Sequence, residues 1–270
     1  MSSAGAEAAD LRDRGVARIA IAGALLGLLL ALPAFAPASW LAGSLASATG
    51  QRLLLADARG SIWNGSAVPV LTGGVGSRDA SALPGRLSWT VGLDGLAIAV
   101  RARQECCIEG ELKLRIEPGF GRVLITLPPS QGTLARWPTA WLAGMGTPFN
   151  TLQLGGTMGL TSGGFSAESA AGRWRMTGNV ALSIDDLSSR VSTISPLGSY
   201  RLAFTGGDIT QVNLSTGDGA LRLTGSGQFG ANGLRFRGEA RAQPGSESAL
   251  DNLLNLLGRR QGTLAILAIG

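Results

Sequence analysis

Any chemistry in this chain has to be built without histidine. The 270 residues contain none. That removes the commonest general base, the commonest metal ligand and the Ser-His nucleophile pair. The only two cysteines, Cys106 and Cys107, are adjacent. Neighbours on a strand point to opposite faces, and a disulfide between them would close a small, strained ring. The expectation is one buried thiol and one near the surface, with no disulfide framework. A redox or intermolecular role is the other reading. Gly225-Ser226-Gly227-Gln228-Phe229-Gly230 matches GxGxxG. The nucleotide fingerprint needs a strand before it and a helix after it. Strand patterns flank this string on both sides, so it reads as a β-turn. Asp185-Asp186 would diverge on a strand, and a calcium site needs more oxygen ligands than the neighbourhood offers, so they read as a loop. No GxSxG, Walker or histidine-containing metal motif occurs. The chain is expected not to be an enzyme and to hold no cofactor or metal.

The arginines offer a different kind of chemistry. Arg101 and Arg103, Arg173 and Arg175, and Arg235 and Arg237 are i, i+2 pairs, so each pair shares one face of a strand. If Gln104 to Gly110 closes a hairpin, Glu111 and Glu117 sit across from Arg101 and Arg103, an arrangement that contributes about 0.2–1 kcal/mol per cross-strand pair. The two readings are a solvated face and a docking face for an acidic partner. The net charge is +5, and of the 23 basic residues only Lys113 is lysine. The bases are scattered among acids with few aromatics between them. A nucleic-acid surface needs a basic stripe, so no nucleic-acid partner is expected.

These residues must be positioned by strands. In Glu111-Leu112-Lys113-Leu114-Arg115-Ile116-Glu117 apolar residues alternate strictly with charges. Leu234 and Phe236 alternate with Arg235 and Arg237, and Tyr200, Leu202 and Phe204 repeat the pattern. Period two marks antiparallel strands with one dry face and one wet face. Gly and Pro pairs break the runs every eight to twelve residues, which points to a sandwich, a barrel or an open curved sheet. The fold class is therefore mainly β. Trp63-Asn64 and Phe149-Asn150 each precede a Gly-Gly pair and a Gly-Arg string at similar spacing. Internal duplication and chance matching both account for that. Residues 133–146 read as a short helix or irregular crossover. Leu250, Leu253, Leu254 and Leu257 fall at i, i+3, i+4, i+7. This is one amphipathic helix, with Ser248 and Asp251 as a capping box and Gly258 as its stop. It either covers an open end of the sheet or docks on a partner or membrane. A last strand follows over 263–267.

The first 51 residues are of another kind. From Ile19 to Ala36 there is no charge, and Arg12, Arg14 and Arg18 precede the run. Eighteen helical residues reach about 27 Å, enough for a thin bilayer, and the flanking arginines keep the short tail cytoplasmic. Ala34-Phe35-Ala36 also has the look of a signal-peptidase site. Both readings export the rest. The expected division is a cytoplasmic tail over 1–18, a transmembrane anchor over 19–36, a membrane-proximal linker over 37–51 with Trp40 at headgroup level, and a β domain over 52–270. Arginine in place of lysine, with abundant Ala and Gly, suggests a GC-rich bacterial genome, so the exported compartment is the periplasm.

Several strings recur in a familiar order: Leu32-Pro33-Ala34, Ala38-Ser39-Trp40-Leu41, Gly60-Ser61-Ile62-Trp63-Asn64-Gly65-Ser66-Ala67, Leu83-Pro84-Gly85-Arg86-Leu87-Ser88-Trp89, Pro148-Phe149-Asn150-Thr151-Leu152, Leu197-Gly198-Ser199-Tyr200 and Ala249-Leu250-Asp251-Asn252-Leu253-Leu254-Asn255. Over roughly residues 20–270 they resemble the N component of the bacterial type II secretion system, the GspN family. Phe149 departs from the tryptophan expected in its string. The resemblance implies a single-pass inner-membrane accessory protein of the machinery that exports folded proteins from the periplasm. Its partners would be other secretion subunits and inner-membrane lipids. It is also similar, more loosely, to the AsmA-like proteins, which implies an open curved sheet and, as an alternative function, a lipid-binding or lipid-transfer module with an apolar groove. The residues proposed as structural or interaction candidates are Trp63, Asn64, Trp89, Phe149, Asn150, Leu250, Leu253, Leu254 and Leu257.

Overall fold

The computed structural model describes residues 34–230 and 233–270, together with Gly23 and Gly27. The expected anchor over 19–36 therefore lies almost wholly outside the described residues. Among those described, no helix is long and apolar enough to cross a membrane.

The period-two runs form a single antiparallel sheet. Its strands are β1 (Leu53–Gly60), β2 (Asn64–Thr72), β3 (Ala80–Ala82), β4 (Leu87–Asp94), β5 (Ala97–Arg103), β6 (Leu112–Gly119), β7 (Arg122–Leu127) and β8 (Ala135–Pro138). They continue as β9 (Leu154–Ala170), β10 (Arg173–Ser189), β11 (Gly198–Gly207), β12 (Thr210–Asp218), β13 (Leu221–Gly230), β14 (Gly233–Ala242), β15 (Arg259–Gln261) and β16 (Leu264–Ile269). The spatial order is β1-β2-β4-β5-β6-β7-β9-β10-β11-β12-β13-β14-β16-β15, with β3 against β2 and β8 against β9. Successive strands are thus neighbours almost throughout, and the two edges, β1 and β15, do not meet. The sheet is open, and of the three architectures the sequence allows, it is neither sandwich nor closed barrel.

The register sorts side chains by face. Ile98, Ile116, Ile125, Ala167 and Met176 stand opposite one another from β5 to β10. Beyond a register shift in β10 between Met176 and Asn179, Val180, Phe204, Val212, Gly227, Phe236 and Ile269 form a second apolar row from β10 to β16. Behind the first row Arg101 stands opposite Lys113, and behind the second Asn213, Ser226 and Arg237 stand in a row. Alternation in sequence has become segregation in space.

Among the described residues, three helices and one 3-10 turn accompany the sheet. Helix α1 (Ala38–Ala48) occupies most of the stretch expected as a linker and packs on β1. The crossover is β8 followed by the 3-10 turn Thr139–Met145, then a four-residue helix α2 (Phe149–Leu152). There Trp137 stacks on Trp141 at 6.4 Å, and Trp141 Nε1 donates to the Ser81 carbonyl at 3.0 Å. Helix α3 (Glu247–Leu257) is the amphipathic helix of the leucine stripe. It covers the end of the sheet: Leu250, Leu253 and Leu254 are fully buried with Leu197, Leu221, Ala240 and Ala265, and Leu257 packs partly buried against them.

Several local expectations are corrected. Helix α3 starts at Ser246 with no side-chain cap. Asp251, expected in a capping box, pairs with Arg260 at 2.6 Å. The GxGxxG string is no turn but the interior of β13. A Cβ on Gly225 would come within 2.5 Å of the Phe236 ring, so the glycines make room for an aromatic on the neighbouring strand. Asp185 and Asp186 lie within β10 at a register shift, not in a loop. Cys106 and Cys107 are joined in a disulfide, where two thiols were expected. They lie in the β5–β6 connection, outside any strand, so the alternation that would have separated them does not apply. Trp63-Asn64 opens β2 whereas Phe149-Asn150 belongs to a helix, so the similar strings do not occupy equivalent elements.

Candidate functional site

The sequence candidates fall into two groups about the same sheet. The first surrounds the β1–β2 hairpin. Trp89 is buried against Ala38 and Ala67, and its indole Nε1 donates to the Ile62 carbonyl at 3.1 Å. Its ring lies over Gly65, where a Cβ would come within 2.5 Å. Trp63 is only half-buried, and its carbonyl accepts the Val91 N–H at 2.7 Å. Asn64 is exposed; its backbone N–H donates to Ser61 Oγ at 3.1 Å, and its carbonyl accepts the Ser61 N–H at 2.9 Å. The buried ring is therefore Trp89. Trp63 and Asn64 close a tight hairpin by main-chain bonds.

The second group gathers at the opposite side of the fold. Phe149 and Asn150 start α2, and Asn150 Nδ2 donates to Asp79 Oδ1 at 3.2 Å. That bond ties the crossover to the loop after β2. One residue on, Leu152 enters the same core as Leu250, Leu253 and Leu254, and its carbonyl accepts the buried Ser189 hydroxyl at 2.5 Å. The structure thus joins α2 to the leucine stripe through Leu152, whereas Trp89 lies in a separate core with Ala38 and Ala67.

Electrostatics concentrate on the polar face. Arg86 donates to Asp57 Oδ2 at 2.7 Å and to the Asp57 carbonyl at 2.6 Å. These bonds, with a second from Arg59, hold the Asp57 carboxyl below its ordinary value. Arg103 pairs with Glu111 at 3.0 Å across the hairpin, as its spacing predicts. Glu117 pairs with Arg115 on its own strand at 2.9 Å instead. Tyr200 was singled out only within a pattern. It is buried, donates to the Leu221 carbonyl at 2.9 Å, and burial pushes its phenol up. The β5–β6 loop is fastened to the crossover: Arg136 N–H donates to the Cys107 carbonyl at 2.7 Å, and Arg136 pairs with Glu109 at 3.2 Å.

Among the described residues, no group of three or more His, Cys, Asp or Glu side chains could hold a metal ion. What the arrangement offers is surface: an extended sheet with an apolar face, a charged face and two unpaired edges. Sequence reasoning missed a set of apolar side chains exposed at hairpin tips, among them Leu96, Phe120 and Ile209. Their signal was present, since each sits in or beside a turn where polar residues are the norm.

A long antiparallel meander closed at its ends by short helices defines a β scaffold. The chain belongs to the type II secretion system (T2SS) protein N family, whose family model matches residues 51–266. The match covers nearly the whole sheet. No curated protein and no solved structure matches the chain.

Proposed function

We propose that this protein is an accessory inner-membrane component of a type II secretion system. It takes part in export of folded proteins from the periplasm across the outer membrane, and it acts by protein–protein contacts, without catalysis. Residues 19–36 anchor it as a single span, the N-terminus is cytoplasmic, and the sheet is periplasmic. The observation that carries this reading is the family match over residues 51–266. The absence of histidine is in keeping with it. Deleting the gene in a secreting strain and measuring cargo in the medium tests the role; unchanged secretion overturns it. N-terminal sequencing of the membrane-extracted protein tests the anchor, and a mature start at Ala36 or Pro37 overturns that part.

One observation favours a second reading, a membrane-anchored lipid-binding or lipid-transfer module. The helices and the 3-10 turn pack chiefly on β1–β3, β9 and β14–β16. Between them Val100, Leu114, Ile116 and Ile125 share the apolar face and are only half-buried. Mass spectrometry of lipids that survive purification separates the readings. Stoichiometric phospholipid supports the module, and lipid-free protein with normal secretion supports the contact scaffold.

A further inference from the structure

We infer that one end of the sheet, the end at which every second hairpin turns, rests on the bilayer surface with its apolar tips among the headgroups. The inference builds on the reading of residues 19–36 as an anchor. In an antiparallel meander alternate connections fall at the same end. Asp94 opposite Ala97 closes the first tip on this end, Gly119 opposite Arg122 the second, and Ala170 opposite Arg173 the third. Arg122 opposite Ala170 sets the second and third side by side. The β11–β12 turn and the β13–β14 turn follow at this end, since Met176 faces Gly207 and Thr210 faces Phe229. Tips two strands apart are about 10 Å apart, so the five make a row of roughly 40 Å.

Each tip carries a large apolar side chain in solvent. Leu96 is 95% exposed, and Phe120, Trp174, Ile209 and Phe229 are exposed in turn, with Ile269 at the end of β16. At the opposite end, among the described residues, the exposed large apolar side chains are Val75 in a loop and Leu256 on helix α3. Turns favour Gly, Pro, Asn, Asp and Ser, and a row of exposed apolar side chains marks an interaction site.

The occupant is set by where the chain enters. The Ala36 carbonyl accepts the Ile62 N–H at 2.9 Å, and Pro37 bridges Ser61. These contacts bring the segment that follows the charge-free run to the β1–β2 turn, on the same end as the tips. Phe35 and Trp40 are exposed beside it. A bilayer crossed by residues 19–36 therefore lies at this end. Trp174 suits the headgroup level. Arg173, Arg175 and Arg235, set just behind the tips on β10 and β14, complement anionic headgroups. Of the acids nearby, Asp94 and Glu117 are paired with Arg115 and Glu168 with Arg122, while Asp208 lies in the β11–β12 turn beside Ile209.

The test uses the full chain in phosphatidylethanolamine–phosphatidylglycerol vesicles. A photoreactive benzoylphenylalanine replaces Phe120, Ile209 or, as control, Val75. Illumination followed by mass spectrometry is expected to give phospholipid adducts at 120 and 209 and none at 75. No lipid adduct at the tips, equal adducts at Val75, or adducts at the tips to protein alone would overturn the inference. Extraction with alkaline carbonate separates the two levels of failure. A chain washed off the vesicles sinks the anchor reading and the inference with it. A retained chain without tip adducts sinks the inference alone.

Discussion

One continuous sheet treats its apolar rows differently at two places. Around β13, β14 and β16 it meets α3, and Leu221, Leu250, Leu253 and Leu254 lose all but about 1% of their exposure. Around β5, β6 and β7 no helix among the described residues packs extensively on it, and Val100, Leu114, Ile116 and Ile125 stop at half-burial. The residue types are the same in both places, and so is the alternation. What differs is the second layer. A sheet face dries fully only when another element packs on it, so the dry core forms near α3 while the central strands keep a half-exposed apolar surface.

The comparison breaks first at Leu253. Leu253→Asp places an unpaired charge in the dry region, where its cost is large. The variant is expected to unfold or to be cleaved rapidly in limited proteolysis. Folded protein with a wild-type denaturation midpoint would mean that α3 does not hold the sheet end. A milder pair of changes measures the contrast directly. Leu253→Ala is expected to cost about 2–5 kcal/mol in chemical denaturation, the range for a buried leucine. Leu114→Ala, the same deletion on the uncovered face, is expected to cost about 1 kcal/mol, because little solvent-free volume is vacated. Equal costs would show that the central face is covered in solution.

How much of this was legible follows the range of each signal. Period two and the leucine stripe are local, so Leu112-Lys113-Leu114 read as strand and Leu250 to Leu257 as helix. That the stripe needs a partner was legible, since an amphipathic helix buries its apolar face, but the sheet end, a partner and a membrane all fitted it. The vicinal disulfide was not legible, because the argument against it assumed a strand where the chain makes a loop. GxGxxG misled for a related reason: Gly225 answers to the Phe236 ring on the next strand, and Gly227 to the Arg235 carbonyl and the Phe236 backbone, contacts eight or more positions away. Trp63 and Trp89 looked alike in sequence. Only the pairing of Gly65 with Trp89 decides which ring is buried. The row of exposed tips needed the strand order, since Leu96, Phe120 and Ile209 fall at one end of the sheet only after the meander is built.

Tyr200 probes the dry side by pH, and it is the only tyrosine, so phenolate absorbance reports on it alone. Burial, and then the nearby Asp218 carboxylate, raise its pKa above the ordinary 10. The folded state therefore favours the neutral phenol. Its contribution is fully present below about pH 10 and is lost as pH rises through the folded value. At about pH 11 a free tyrosine is mostly ionised, so the folded protein is expected to show little phenolate there and the urea-unfolded protein much. Tyr200→Phe removes the bond to the Leu221 carbonyl and is expected to cost about 1 kcal/mol. Matching titrations in the two states would place Tyr200 in water and shrink the dry region to α3 itself.

The smallest effect belongs to the wet side. Asp57 sits at the bulge in β1, with Arg86 reaching it from β4's entry and Arg59 from its own strand. First the bond from Arg86 and then that from Arg59 lower its pKa below 3.8. A carboxylate with a depressed folded value contributes stability above its unfolded value and loses it as pH falls through the folded one. Comparing Asp57→Asn with the unsubstituted chain by urea denaturation should therefore show a small deficit at neutral pH. The deficit should persist to about pH 5 and close below about pH 4. It should also shrink in high salt, because the pair is exposed and screened. A deficit as large as that of Leu253→Ala, or one insensitive to pH, would mean that the polar face near β1 is held by something other than charge, and the two faces would then differ less than their burial implies.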